Sequence, residues 1–215
     1  MVDEQDSRSS LPPLTGDGNS SSIEKGEEKL ESKSDSLRCA SMLEKALEDN
    51  TVKFMLERME NLGCAIPSNF VRCETCESES IIGHFDPLSQ KKGVKLCEDV
   101  LEKFPVLGQR HVTRTVVHEL VHAYDHCRAK VDWLNCYHHA CSEIRAAHLS
   151  GDCYIQEEVS RGNFSLKGQG YACVRRRAEL SLANNPKCAK VAQEAVNHVF
   201  DMCVKDTSPF IRAPP

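Results

Sequence analysis

Three features of the sequence predict an α+β fold, mostly helical with one small sheet. Apolar residues recur every three or four positions in several long segments. One block, Phe70 to Leu96, instead carries short β-branched and aromatic runs. Twelve cysteines are spread over the part of the chain that follows residue 38, as in folds that carry disulfides.

Residues 1–36 hold nine acidic and four basic side chains, and no aromatic residue occurs before Phe54. Such a segment cannot bury enough apolar surface to offset its ordering entropy, so residues 1–37 are expected to be a disordered acidic tail. The folded domain is expected over 38–207, with a short C-terminal tail at 208–215. From about Cys39 to Leu62, Met42, Leu43, Ala46, Leu47, Val52, Met55, Leu56 and Met59 form a helical stripe, and Gly63 suits its stop. Two or three short strands follow: Phe70-Val71, Ile81 to Phe85, and Val94 to Leu96. Asp86-Pro87 and Lys92-Gly93 punctuate them as turns. A helix from Arg110 to Arg128 comes next, then one from Trp133 to Leu149 that ends at Ser150-Gly151. Helices near Arg175–Ala183 and Pro186–Val204 close the domain, with Pro186 suited to a first turn.

Outside the tail the charges balance, 23 basic against 23 acidic, so no basic excess points to nucleic acid. Arg175-Arg176-Arg177 is the only basic run and reads as a solvated helix start. No stretch approaches the ~18 apolar residues that would span a bilayer. The N-terminus has neither a secretory nor an Arg-rich transit pattern, which by itself reads as cytosolic. The cysteines pull the other way, since an even count of this kind suits disulfides in an oxidising compartment as well as it suits buried free thiols. Cys73 and Cys76 form a lone CxxC. With no second pair to complete a zinc ribbon, a disulfide partner for each is the favoured reading.

The chemistry sits at His118-Glu119-Leu120-Val121-His122. Histidines four apart on a helix project from one face, a turn apart, and can share one metal ion. Glu119 lies beside them, where a carboxylate can take a proton from a metal-activated water. The histidine-and-glycine continuation of one peptidase class is absent, because Asp125 and Arg128 stand at its positions. A glutamate from the next helix would serve instead. Glu143, 21 residues after His122, is the leading third ligand. His139 stands behind it, then Asp132 and Asp125. His126 continues the row but would diverge from a shared ion, and is expected outside the ligand set.

The stretches HELVHAYDHCRAKVDWLN and HHACSEIRAAHLSGDC resemble the mitochondrial inner-membrane metalloprotease family involved in ATP synthase assembly. Cys73, Cys76, Cys173, Cys188 and Cys203 fit that resemblance too. The motif with Glu143 on the next helix reads as a zincin-like fold of gluzincin type, and the resemblance implies zinc at His118 and His122 and catalysis by Glu119. It also implies a disulfide-bonded protein of the intermembrane space, peripheral to the inner membrane and imported through the disulfide relay. The implied partners are ATP synthase membrane-sector subunits, with the subunit 6 precursor or a related protein as substrate. Two alternatives accompany this reading: an assembly factor in which proteolysis is secondary, and a cytosolic metallopeptidase with free thiols.

Overall fold

The computed structural model describes residues 37–76, 81–88, 92–164 and 169–213. The expected acidic tail lies outside them apart from Leu37.

The first helical stripe is two helices, not one. Helix α1 covers residues 37–47 and α2 covers Asn50–Asn61. Asp49 makes the break: its side chain accepts from the N–H groups of Thr51 and Val52, capping α2 and ending the run before it. Gly63 follows α2 in the left-handed conformation (φ 84°), as its stop position requires. The three expected strands are present as β1 (Val71–Glu74), β2 (Gly83–Asp86) and β3 (Gly93–Cys97). They form one sheet in the order β1-β3-β2, with β1 parallel and β2 antiparallel to β3. Strand β2 is therefore an edge.

Helix α3 (Glu98–Lys103) follows β3 directly, and the long α4 (Gln109–Arg128) crosses beneath the sheet. Helices α5 (Cys136–Leu149), α6 (Ile155–Ser160), α7 (Gln169–Ala183) and α8 (Ala192–Cys203) complete the fold. Four expectations need correction. Helix α5 starts at Cys136, after Asn135 caps it, and Trp133 belongs to the preceding turn. Helix α8 starts at Ala192, so Pro186 stands in the turn before it. Helix α7 begins at Gln169, six residues before the expected start. That places Arg175, Arg176 and Arg177 inside a helix, engaged with Asn197, Glu158 and Asp152, rather than at a solvated start. The single-turn helices α3 and α6 are too short to show a period in sequence.

There are two packing layers. One joins α1, α2 and the sheet to α4 through Met55, Met59, Leu96, Val116 and Leu120. The other joins α5, α7 and α8 through Ile144, Val174, Leu182, Val196 and Phe200. Helix α5 serves both: Ala140, Ile144 and Ala147 face the second, while Ala146 and Leu149 face the first. The site described below lies where α4 meets α5.

All twelve cysteines are paired, so the free-thiol alternative is not what the structure holds. Cys73 and Cys76 bond to Cys39 and Cys97, as expected for a CxxC with separate partners. Cys64 bonds to Cys127. The other three pairs are Cys136–Cys188, Cys141–Cys203 and Cys153–Cys173. Three bonds lie wholly within residues 39–127 and three within 136–203, so no disulfide joins the two halves.

Candidate metal centre

From residue 119 to 125 every residue of α4 is buried, so this part of the helix has no solvated face. Val116, Leu120 and Val121 meet the first core, while His118, His122 and Asp125 look toward α5. Burying these polar groups is tolerable only where charge or hydrogen bonding compensates for lost water.

The structure brings His118, His122 and Glu143 together, with one potential ligand atom from each lying within 4.8 Å of the others. Glu143 Oε2 is 3.5 Å from His118 Nε2, and Glu143 Oε1 is 3.7 Å from His122 Nε2. His139, one turn earlier on α5, reaches Glu143 Oε1 at 3.2 Å, and its Nδ1 meets the Asn185 side chain. Asp125 turns away into contacts with Ser142 and Arg145. Asp132 is spent on the turn before α5, accepting from the Leu134 N–H. His126 accepts from the Trp133 indole at 3.2 Å, beside the site rather than in it.

Both histidines are oriented from behind. His118 Nδ1 lies 3.2 Å from Asp152 Oδ2, a carboxylate supplied by the turn after α5. His122 Nδ1 lies 2.8 Å from the Ser142 hydroxyl. His122 Nδ1 is hydrogen-bonded and His118 Nδ1 faces the Asp152 carboxylate as an ion pair, which leaves Nε2 of each ring toward the common centre. Asp152 and Ser142 were not singled out in the sequence. Their only local signals are a carboxylate just past a Ser-Gly helix stop and a serine adjoining Glu143.

A divalent metal fits this donor set, which offers two imidazoles and one carboxylate. Glu143 Oε2 is buried and receives no hydrogen bond. A buried carboxylate oxygen without a hydrogen bond is costly, and a cation at the centre removes that cost. His118 titrates well above its usual range: burial opposes its charge, but Asp152 and Glu143 outweigh burial. Glu143 stays ionised far below its usual range, burial being overcome by His122, His118 and His139. Burial takes His122 down to about 3. Glu119 behaves oppositely, raised to about 8 by burial despite the lowering pull of His118 and of a hydrogen bond from the Phe85 N–H.

The centre opens into a cleft of about 610 Å³. One wall is β2 with its flanks, including Gly83, Phe85 and Leu88, and the other is the C-terminal end of α7 around Leu180 and Ser181. Trp133, the only tryptophan, lies at the cleft with ring centroids 5.9 Å from His122, 5.6 Å from His139 and 6.0 Å from Phe85. A second grouping, Cys76, His84 and Cys97, also has metal-ligand spacing, but its two sulfurs are bonded to each other.

Comparison with known proteins matches residues 37–211 to the model of the peptidase M76 family. The chain belongs to the peptidase M76 family. Among similar proteins is the mitochondrial inner membrane protease ATP23 homolog of Homo sapiens. It is 42% identical over 181 residues, covering 82% of this chain and 70% of the human protein. The Xenopus laevis homolog is equally similar, with 74% of its length covered. The Yarrowia lipolytica mitochondrial inner membrane protease ATP23 is 42% identical over 163 residues, covering 74% of this chain and 62% of its own. No solved structure matches. Family membership bears out the resemblance read from the sequence and makes this chain's relatives mitochondrial inner membrane proteases. Among the described residues, no helix is long and apolar enough to cross a membrane.

Proposed function

We propose that this protein is a zinc metalloendopeptidase of the mitochondrial intermembrane space, held at the inner membrane surface, whose ligands are His118, His122 and Glu143 and whose general base is Glu119. The carrying observation is the convergence of those three side chains beside a buried glutamate. A bound zinc ion would supply Lewis acidity and a water of lowered pKa. Glu119 then accepts a proton from the attacking water and returns it to the departing amide nitrogen. Its buried setting beside the ligands suits a group that takes and returns a proton out of contact with bulk water.

The substrate chain has a docking edge in β2. Ile82 accepts from Cys97 across the sheet, so the alternate residues Gly83 and Phe85 direct their peptide groups off the edge, beside the cleft. The Phe85 N–H serves Glu119, and among the described residues the other peptide groups of Gly83 and Phe85 have no backbone partner, which suits an extended peptide. Six disulfides support an oxidising compartment and entry through a disulfide relay. The substrate and partner remain those the resemblance implies: the ATP synthase subunit 6 precursor or a related protein, and the membrane-sector subunits being assembled.

Glu119→Gln tests the reading. It keeps side-chain size and leaves the ligands intact, so metal content, and thermal unfolding of the zinc-loaded protein, should match wild type. Peptide hydrolysis should fall by at least ~10²-fold. In mitochondria, uncleaved precursor should accumulate while ATP synthase assembly continues, if assembly help rests on a binding surface. A Gln variant that hydrolyses peptides at the wild-type rate would remove Glu119 from catalysis. One that holds metal yet fails in assembly as a deletion does would make proteolysis the whole function.

A further inference from the structure

The two disulfide-stapled halves meet without a disulfide between them, yet the candidate ligands are split across that junction. His118 and His122 come from the first half and Glu143 from the second. Something must set their registration. We infer that the hydrogen-bonded ion cluster Asp125–Arg145–Asp206, acting through Ser142, is the positioning device for His122, and that the segment after α8 is thereby part of the metal centre. This rests on the metal-site reading above.

The chain of contacts is continuous. Asp125 is an acceptor whose oxygens take the Ser142 hydroxyl at 3.0 Å and Arg145 Nε at 3.0 Å. Ser142 has one proton, and it goes to Asp125. Its oxygen must therefore accept from His122 Nδ1–H, which fixes the tautomer with Nε2 unprotonated and ready to bind a metal. Arg145 is only 1% exposed and uses its remaining donors on the far side. Nη1 meets Asp206 Oδ1 at 2.8 Å and Nη2 donates to the Ser208 carbonyl at 2.5 Å. Arg128 of α4 closes the loop, bridging Asp125 at 3.1 Å and Asp206 at 2.5 Å. Two carboxylates and two guanidiniums balance in charge, with Asp125 and Arg145 buried while Arg128 and Asp206 reach solvent. Downstream, Phe210 stacks on Phe54 of α2 at 5.2 Å, anchoring this strap to the first half. Removing either end of the cluster should loosen the same imidazole.

The test uses the full chain with its disulfides intact. Ser142→Ala removes the link next to His122, and Asp206→Ala removes the link farthest from it. Because Arg145 is a buried charge, its own variants are left aside as prone to misfold. Zinc affinity is measured by competition with a chelator and followed through the fluorescence of Trp133. Both variants should bind zinc ~10- to 100-fold more weakly, and Ser142→Thr, which keeps the hydroxyl, should recover most of the loss. Nitrogen NMR of the metal-free protein adds a reading that a purely structural defect would not move. His122 should be in the Nδ1–H form in wild type and a mixture in Ser142→Ala. Wild-type affinity in folded Ser142→Ala, or an unchanged tautomer, overturns the inference. If wild type itself binds no zinc, the underlying site reading fails instead.

Discussion

Asp152 Oδ2 stands 3.2 Å behind His118 Nδ1, while Arg177 Nη2 stands 3.5 Å from that same oxygen. The carboxylate is held well ionised, its pKa down at about 2. Burial opposes this but is outweighed by His118 and Arg177. It therefore orients the ring and raises its basicity toward a metal. Asp152→Ala should weaken zinc binding ~10- to 100-fold with little change in folding. Asp152→Asn, which can still accept from Nδ1–H, should lose less. Chelator competition on the two variants checks the order, and equal affinities for both and wild type would remove Asp152 from the site.

Glu119 gives the metal-free protein a distinctive pH dependence. Burial holds its folded pKa at about 8 against an ordinary value of 4.5. Between those values the folded chain keeps a proton that the unfolded chain has released. Folded stability therefore falls as pH rises through that window. Glu119→Gln removes this contribution, so the stability difference between wild type and variant should shift against wild type by a few kcal/mol from pH 5 to pH 8. Denaturant melts of both proteins in chelator would show it. A bound cation favours the carboxylate, so the slope should shrink when zinc is restored. Parallel pH curves in chelator would contradict the assigned environment.

Gly83 sets how closely the edge strand approaches α4. A Cβ there would meet Thr115 Cγ2 at 2.8 Å and the Lys95 carbonyl at 3.0 Å. Gly83→Ala should push β2 off α4, costing about 1–3 kcal/mol of stability. It should also raise KM for peptides more than it lowers kcat, because the docking edge moves while the ligands stay. Adding Thr115→Ser removes the nearer obstacle and should restore part of both losses. Unchanged kinetics in a folded Gly83→Ala protein would mean that peptides do not use this edge.

Much of this molecule was written locally. Helix spacing alone placed His118 and His122 on one face with Glu119 beside them, and the period of the apolar residues located α4 and α5 to within a few residues. Alternating short runs found all three strands, since pleat and helix periods are properties of neighbouring residues. Where a side chain overrode the period, the boundaries moved: Asp49 split one expected helix into two, and Asn135 delayed the start of α5.

Other features belong to the folded chain only. Twelve cysteines announce pairing but not partners, because partners are chosen by Cα separations of 5.2–6.2 Å between residues 20 to 63 apart. The same holds for Asp152 behind His118 and for Asp206 behind Arg145, which have no sequence period linking them. Sequence by itself determined the chemistry available, two imidazoles and a carboxylate on one helix with cysteines to staple it. Tertiary structure alone decided how that chemistry is aimed: packing of α4 against α5 selects which distant polar groups are buried together, and a buried polar group must take whatever partner lies within hydrogen-bond reach.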